Sequence, residues 1–369
     1  MNKVIIIPHV EINGGAGLYI KKILSKLREY FEVSVAGKFS QSYSCATSEN
    51  IFFHEKFVFP NYQGVSLIRK NYHLIRLVLN LLIVLSEIKN KKNLAIKSTI
   101  VLTSGIQMPL LWLYKKIYPN AKLIILIQEN WILENNIYGK ISKLLLHQAD
   151  EVISITKKWS EYAALNNIKS TVYRNEIDND FVIDLDSGLN IIYDALYIGG
   201  DQRIKGFNSL VRMYRKISDY RKIIICIAGQ TNEKSRKIIN DLNAKSKNGS
   251  MIECVGQVNS IQPLLMRSKF LLLPIMAPHF QRAALEAGFC RKTFLIRNFH
   301  VEDDFLDLEN NCLSYSDDDD LIAKFLLLLD DDELRSKLEL NNEKFFKSFT
   351  EENIKNFPFS YVKNKFEIE

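Results

Sequence analysis

The segment KFLLLPIMAPHFQRAALEAGFCRKTFLI, residues 269–296, has the pattern of a strand, a loop, a helix, a turn and a second strand. Residues 270–273 are a short apolar run that ends at Pro274, as expected for a buried strand. Residues 281–288 have the pattern of a short helix, with Gly288 as its stop signal. The segment therefore predicts one strand–helix–strand unit.

Glu286 stands in the predicted helix among small apolar residues, Ala283, Ala284 and Ala287. Burying a carboxylate in such surroundings is costly unless it has a partner. Two interpretations stay open. Glu286 is either a solvated helix residue or an acceptor for ligand hydroxyls, on a helix whose alanines leave room for a ligand.

Strand and helix patterns alternate along the whole chain, at the spacing of doubly wound parallel sheets. In the first half, strands are predicted at residues 4–8, 33–36, 51–57, 100–103, 123–128 and 151–155, and helices at 18–30, 67–88, 107–118, 138–148 and 157–165. After a linker at 180–190, further strands are predicted at 195–199, 223–228 and 251–255, and helices at 207–217, 233–245, 260–267, 320–329, 333–346 and 351–369. The length of 369 residues suits two domains of an α/β fold.

The positive charge of the chain lies in its first half. Residues 1–180 hold 23 Lys and Arg against 14 Asp and Glu, a net +9, whereas the whole chain carries +7. A basic half can meet nucleic acid or an anionic membrane surface. We expect no nucleic-acid partner, because no such module is recognisable and the aromatic residues do not interleave with the basic ones. A basic surface without a partner is the alternative.

Several classes of protein are excluded by composition. The five cysteines form no CxxC pair, which argues against a zinc site or a disulfide framework and favours a reducing cytoplasm. The six histidines show no metal-ligand spacing, so we expect no metal and no cofactor. The longest apolar run, residues 74–85, is short of the ~20 residues of a spanning helix. The strand pattern at residues 4–7 argues against a signal peptide.

Two glycine-rich turns have the composition of phosphate-binding loops. Gly14, Gly15 and Gly17 follow the first strand and precede a helix, and backbone N–H groups at a helix start favour an anion. The dinucleotide fingerprint is absent, because it would need a glycine at Ile20. In the second turn, YIGGDQRIKG at residues 197–206, two glycines are followed by two basic side chains that suit a diphosphate.

The basic residues of the second turn are Arg203 and Lys205, and a solvated lysine at a helix start is the alternative for Lys205. Gly229 and Gly256 each follow a predicted strand. Ligands of open α/β sheets bind beyond the carboxyl ends of the strands, so these turns mark a candidate binding edge.

In this order, the segments resemble the retaining group-1 (family 4) nucleotide-sugar glycosyltransferases of bacterial envelope glycan synthesis. The family's donor segment starts with a proline, which Pro274 matches. It ends with Glu-Ala, which is found here within Leu-Glu-Ala-Gly at residues 285–288. Its Lys-Gly pair matches residues 205–206, and its Ala-Asp-x-Val-Ile strand matches residues 149–153.

Three positions depart from the family pattern. Gly200 stands where the family has an arginine, Pro278 where it has its first glutamate, and Gln281 where it has a glycine. The residues at 173–178, YRNEID, resemble the family's Pro-Asn-Gly-Ile-Asp, with Glu176 in place of the glycine.

The resemblance implies the GT-B fold, which is two facing Rossmann-like, doubly wound parallel-sheet domains with a cleft between them. Residues 1–182 would be the acceptor-binding domain and residues 190–348 the nucleotide-sugar donor domain. Residues 349–369 would form a helix that crosses back onto the first domain.

The resemblance also implies roles for individual residues. Lys205 and Arg203 would stabilise the departing diphosphate, and Glu286 would hold the ribose hydroxyls. Gln257 and Val258 would flank the nucleobase. The remaining implied donor contacts are Gly14, Gly15, Gly17, Gly199, Gly200, His279 and Phe280. Glu129 follows a predicted strand, where it either acts as a base, contacts an acceptor hydroxyl, or serves only as a strand-end cap.

The expected reaction moves a hexose from an NDP-sugar to a hydroxyl of a lipid-linked surface glycan, such as lipopolysaccharide or capsule, with retention of configuration. The expected location is the cytoplasmic side of the inner membrane, held peripherally by lysines. These lysines are Lys89, Lys91, Lys92, Lys97, Lys115 and Lys116. Two rivals are a nucleotide-sugar epimerase, which needs more acidic groups and histidines, and a non-catalytic partner, which Pro278 makes credible.

Overall fold

A computed structural model describes residues 3–8, 15–36, 42–43, 49–51, 99–128, 137–174, 190–276, 282–298 and 310–355. The chain divides into two compact units, Met1–Glu176 with Asn353–Glu369, and Ile177–Glu352. The predicted helix at 67–88 lies outside the described residues, as does most of the predicted linker. The predicted domain limits stay predictions.

The first unit is built on a seven-stranded parallel sheet. Its strands are β1 (Lys3–Ile7), β2 (Glu32–Ala36), β3 (Glu49–Ile51), β4 (Thr99–Leu102), β5 (Lys122–Ile127), β6 (Glu151–Ser154) and β7 (Ser170–Val172). Its helices are α1 (Gly15–Leu27), α2 (Met108–Ile117), α3 (Ile137–Leu146) and α4 (Lys157–Leu165). The strand order is β3-β2-β1-β4-β5-β6-β7, so the winding direction reverses next to β1. This is the doubly wound arrangement that the sequence predicts.

The core of the first unit follows from the apolar strands. In β5, KLIILI, every residue after Lys122 is buried, as expected for a parallel strand that is covered on both faces. Helices α2, α3 and α4 pack on one face of the sheet, and Trp159 of α4 is fully buried there. Gln107 links β1 to β4, because its side-chain amide donates to Ile7 O at 3.1 Å and accepts from Thr103 N–H.

The second unit contains a six-stranded sheet in which all pairs are parallel. Its strands are β8 (Tyr193–Ile198), β9 (Ile224–Ala228), β10 (Met251–Gly256), β11 (Ser268–Leu273), β12 (Phe294–Arg297) and β13 (Leu313–Tyr315). Its helices are α5 (Phe207–Ser218), α6 (Glu233–Lys245), α7 (Gln262–Met266), α8 (Arg282–Phe289), α9 (Asp318–Asp330) and α10 (Asp332–Lys355). The order β10-β9-β8-β11-β12-β13 places β8 and β11 at the centre.

The segment at 269–296 forms β11, α8 and β12, with Leu271 paired to Phe294, so the predicted strand–helix–strand unit is confirmed. Gly288 does not end the helix, which continues to Phe289. A Cβ atom at Gly288 would lie 1.8 Å from the ring of Phe346 on α10. The glycine is therefore needed for close packing of two helices, and Arg291, with φ of 50°, follows the helix in the left-handed conformation.

The end of the chain differs from the prediction of two separate helices. Helix α10 is continuous from Asp332 to Lys355, across the expected break near residue 348. The rings of Phe345, Phe346 and Phe349 pack together along it, with centroids 5.0–6.2 Å apart: Phe345 stacks on Phe349, and Phe346 meets both edge to face. Because this contact uses side chains on both sides of the expected break, packing favours an unbroken helix. In the described residues, no helix is both long enough and apolar enough to cross a membrane.

Candidate functional site

The candidate site is the carboxyl edge of the second sheet, where glycines directly follow β8 and β9 and a glycine ends β10. The N–H groups of Gly199 and Gly200 both donate to Ala228 O, at 2.9 and 3.1 Å. One strand further, Gly229 N–H donates to Gly256 O at 2.7 Å. The hydrogen-bonded network thus continues past the strand ends, and the predicted glycines meet at one edge.

Gly200 is required by the packing of two backbones. Its φ is +57°, and a Cβ atom there would lie 1.9 Å from Gln230 O. Any side chain would therefore both strain the backbone and clash with the loop after β9. This explains the departure from the family pattern: an arginine at Gly200 is excluded by the local geometry.

Lys205 lies against the first glycine of this turn. Residues Arg203–Lys205 form a single 3₁₀ turn after β8. A Cβ atom at Gly199 would lie 2.6 Å from Lys205 Cβ and 2.7 Å from its Cγ, so glycine leaves room for the lysine stem. Burial lowers the pKa of Lys205 below its ordinary value. The same turn carries Arg203, which is exposed.

The turn is attached to the end of β11. Gly206 closes it with φ of +89°, and a Cβ atom there would lie 1.7 Å from Pro274 O. Met276 N–H, which follows β11, donates to Ile204 O at 2.9 Å. These contacts bring the Lys205 turn together with the start of the 274–288 segment.

Helix α5 begins directly after this turn, at Phe207. Its N-cap residue is Gly206, which has no side chain to cap the first turn. The first N–H groups of a helix lack partners within the helix, and together with the helix dipole they favour an anion. A lysine beside an uncapped helix start is an arrangement that can hold phosphate.

Tyr197 is a neighbour of this turn that the sequence did not reveal. Its hydroxyl is buried, lies 3.4 Å from the position of a Cβ atom at Gly199, and has no hydrogen-bond partner among the described residues. Burial and the charge of Asp201 raise the pKa of this hydroxyl, which therefore stays protonated. Tyrosine in a buried strand is commonly a core residue, so the pattern of β8 gave no signal.

Gln257 and Val258, the expected neighbours of the nucleobase, follow β10. Gln257 is exposed, and its Oε1 accepts from Gln230 Nε2 at 3.0 Å, across the ends of β9 and β10. Val258 is half-buried. Gln230 is a second residue that sequence reasoning missed, because it has no motif of its own.

Glu286 is not a solvated helix residue. Its Oε1 accepts from Arg282 Nε at 2.8 Å, one helical turn earlier, and the side chains of Arg282 and Glu286 are only 13% and 14% exposed. Ala284, Leu285 and Ala287 beside it are buried. The partner that a buried carboxylate needs is thus present within α8, and Arg282 joins the candidate site.

The glycine loop of the first unit is partly helical. Helix α1 begins at Gly15, three residues earlier than predicted, and Gly17 is buried within it. Gly15 therefore contributes one of the unpaired N–H groups of the first helical turn. The predicted residues Gly14, Glu129, His279 and Phe280 lie outside the described residues, as do Pro278 and Gln281, and their roles stay predictions.

A family model matches the part of the chain that contains this edge. Residues 190–345 match the family model of glycosyl transferases group 1. No curated protein sequence matches the chain. The matched range runs from the start of β8 into α10, and so contains the whole edge described above.

Solved structures share the fold of the whole chain. Sucrose-phosphate synthase from Thermosynechococcus elongatus is 14% identical, with a TM-score of 0.75 and 100% of both chains covered. HepE from Anabaena, in complex with UDP and glucose, is 12% identical, with a TM-score of 0.67 over 96% of this chain and 99% of that one. The apo form of the lipopolysaccharide outer core galactosyltransferase WaaB is 12% identical, with a TM-score of 0.65 over 98% and 100%.

At these identities the structures show the fold, and the family model covers most of the second unit. Residues 190–345 match the glycosyl transferases group 1 model, and this match together with the GT-B fold indicates that the protein is a glycosyltransferase.

Proposed function

We propose that this enzyme transfers a hexose from a nucleoside-diphosphate sugar to a hydroxyl of a lipid-linked bacterial surface glycan, with retention of anomeric configuration. The observation that carries the donor class is the position of Lys205, held against Gly199 beside the uncapped start of α5. HepE has been solved with UDP-glucose, and WaaB is a lipopolysaccharide galactosyltransferase. The first supports a nucleotide-sugar donor, and the second supports a lipid-linked acceptor.

The diphosphate would lie over the Gly199–Lys205 turn. Its negative charge suits the ammonium group of Lys205 and the first N–H groups of α5, and Arg203 in the same turn adds a second cation. Burial of Lys205 costs its charged form free energy when the site is empty, as its lowered pKa shows. A bound anion offsets that cost, so binding of diphosphate and protonation of Lys205 favour each other.

The ribose would lie against α8. Arg282 holds one oxygen of Glu286 at 2.8 Å, which fixes the orientation of the carboxylate, and a carboxylate can accept several hydrogen bonds, including those from ribose hydroxyls. The buried alanines on the same helix keep its surface low enough for a sugar to approach. Gln257 and Val258, after β10, are the proposed neighbours of the nucleobase.

Catalysis would rest on orientation and on electrostatic stabilisation of the leaving group. The bond from the anomeric carbon to the diphosphate oxygen breaks, and a bond to the acceptor oxygen forms. Negative charge develops on the departing diphosphate, next to Lys205 and the start of α5. Glu129 is proposed to receive the acceptor proton. The alternative is that Glu129 only caps a strand end, in which case the Glu129→Gln variant would keep wild-type turnover.

The test combines a panel of nucleotide-sugars with two variants. We expect one or more donors to raise the melting temperature of the purified protein and to be hydrolysed or transferred. Lys205→Ala and Glu286→Ala should each weaken donor binding by ~1.5–3 kcal/mol, the range for a charge-assisted hydrogen bond. Lys234→Ala, at an exposed lysine of α6, is the matched control and should bind as wild type does.

Three outcomes would change the proposal. If both site variants bind every nucleotide-sugar with wild-type affinity, the donor site is elsewhere. Donor binding without any turnover would indicate a non-catalytic partner, and conversion of one nucleotide-sugar into another would indicate an epimerase.

The proposed acceptor is lipid-linked, so we also propose that the enzyme works at the cytoplasmic face of the inner membrane. The net charge of +9 in residues 1–180 supports attraction to anionic lipid. Of the six lysines expected to contact the membrane, Lys115 and Lys116 lie on α2, and the other four lie outside the described residues.

A further inference from the structure

We infer that the outer face of α2 and α3 is the surface with which this protein lies on an anionic membrane. The face is defined by Trp112, Lys116, Lys140, Ile141 and Leu144. The inference rests on the proposed function, since a lipid-linked acceptor gives the enzyme a reason to remain at the bilayer.

The two helices lie side by side on the same face of the first sheet. Helix α2 contributes Met108, Leu111 and Tyr114 to the core, and α3 contributes Leu146. The helices also pack against each other. Residues on their opposite sides therefore point away from the sheet.

These opposite sides carry large apolar residues. Trp112 is 48% exposed, Ile141 38% and Leu144 72%. On α3, Ile141 and Leu144 are three residues apart and so share one face of the helix, whereas Leu146 points into the core. A soluble helix usually places polar residues on its outer side, so this apolar outer side indicates a binding surface.

Lysines accompany the apolar residues. Lys116 Nζ lies 5.9 Å from the centroid of the Trp112 ring, and Lys140 is exposed four residues before Leu144. A tryptophan with a nearby cation is suited to the interface of a bilayer, where the ring meets the headgroup level and lysine meets anionic lipid.

In the two described stretches that carry these helices, few negative charges oppose anionic lipid. Residues 99–128 and 137–174 contain nine Lys and Arg but only three Asp and Glu. Asp150 is bonded to Lys115 at 3.1 Å, and Glu151 is buried between Lys122 and Lys169. The remaining acid is Glu161, on α4.

This charge also favours lipid over a second copy of the chain. In a twofold dimer, the same patch faces itself, and Lys116 and Lys140 would meet the lysines of the other copy. Like charges across an interface are unfavourable, whereas an anionic leaflet complements them. Apolar residues with a basic rim are therefore better matched to a membrane.

The test measures binding to vesicles of phosphatidylcholine and phosphatidylglycerol, at low and high salt. We expect salt-sensitive binding of the wild-type protein. In a Trp131→Phe background, which removes the third tryptophan, we expect a blue shift of tryptophan fluorescence that is lost when Trp112→Phe is added, because Trp159 is already buried. Each surface lysine contributes about fivefold to affinity, so Lys116→Gln with Lys140→Gln should weaken binding about 25-fold. Leu144→Gln should weaken it about tenfold.

Matched controls lie on the second unit. Leu340→Gln replaces another exposed leucine, and Lys234→Gln with Lys237→Gln replaces two exposed lysines of α6. These variants should bind vesicles as wild type does. Equal binding by the face variants and the controls would overturn the inference, as would wild-type protein that ignores vesicles at low salt.

Sedimentation of the Leu144→Gln variant tests the other occupant. If the substitution changes the oligomeric state but not vesicle binding, the face binds a second copy of the chain and the inference is overturned. Donor binding and hydrolysis, measured without lipid, separate the two proposals. If donor binding and hydrolysis persist while vesicle binding is absent, the inference about the membrane face is wrong and the proposed glycosyltransferase function stands.

Discussion

Gly206→Ala should move the Lys205 turn away from β11 and weaken donor binding. Gly206 has φ of +89°, and a new Cβ atom would lie 1.7 Å from Pro274 O. Unbonded carbon and oxygen atoms rarely approach closer than about 3 Å, so the turn must retreat by more than ~1 Å. The Met276 N–H to Ile204 O bond spans the same contact and would lengthen with it.

The magnitude is the sum of three effects. An alanine in the left-handed region costs ~1–2 kcal/mol. Overpacking costs ~1–3 kcal/mol, and the weakened hydrogen bond ~1 kcal/mol. We therefore expect a loss of ~3–6 kcal/mol in the free energy of unfolding, or ~6–24 °C in melting temperature for a unit of this size. If the turn moves with Lys205, donor affinity should also fall by ~1.5–3 kcal/mol.

Gly256→Ala is the matched control. Gly256 also has a left-handed φ, +75°, but no atom lies within 4 Å of the position of its Cβ. This variant should lose only the ~1–2 kcal/mol of backbone strain. Calorimetry and nucleotide-sugar titration of both variants check the reasoning. Equal melting temperatures would refute the tight packing of Gly206 on Pro274. Wild-type donor affinity in a destabilised Gly206→Ala protein would refute the role given to the turn.

Two further predictions concern stability against pH and the first glycine loop. Burial raises the pKa of Glu339 from 4.5 to about 7, so the folded state retains a proton and the free energy of unfolding falls as pH rises through this window. After allowance for the partial exposure of this side chain, Glu339→Gln should therefore be more stable than wild type by ~1–2 kcal/mol at pH ~8. At pH ~5 the difference should be about a quarter of that. Urea unfolding that gives the same stability difference at both pH values would contradict this. Gly15→Val, at the first residue of α1, should abolish transfer by intruding on the phosphate while costing less than ~1 kcal/mol in stability. Full transferase activity in this variant would show that Gly15 only forms a turn.

Short edge strands were not predictable from the sequence. Strands β7, Ser170–Val172, and β13, Leu313–Tyr315, have three residues each and no periodic pattern of their own. They are strands because β6 and β12 offer free backbone groups beside them. Pairing across the sheet, and not local preference, defines them.

Helix limits near glycines and aromatics also depended on tertiary contacts. Gly288 has the sequence signal of a helix end, yet it lies within α8. A glycine is needed there because the ring of Phe346 occupies the place that a side chain would take. The same principle applies to α10, where contacts between phenylalanine rings favour a helix that continues through residue 349. The side chain that packs against a glycine can be remote in sequence, so the neighbouring residues do not reveal why the glycine is needed.

By itself, the sequence determined the alternation of strands and helices, and with it two parallel sheets, because apolar periodicity is a local property of the chain. It also identified the turns that carry Gly199, Gly200 and Lys205. Only the tertiary structure decided that Gly200 faces Gln230 O and that Lys205 lies on Gly199, because these contacts depend on strand order and register. It likewise revealed Arg282 as the partner of Glu286 and an apolar outer side on α3, because a side chain's surroundings exist only once the helices are packed.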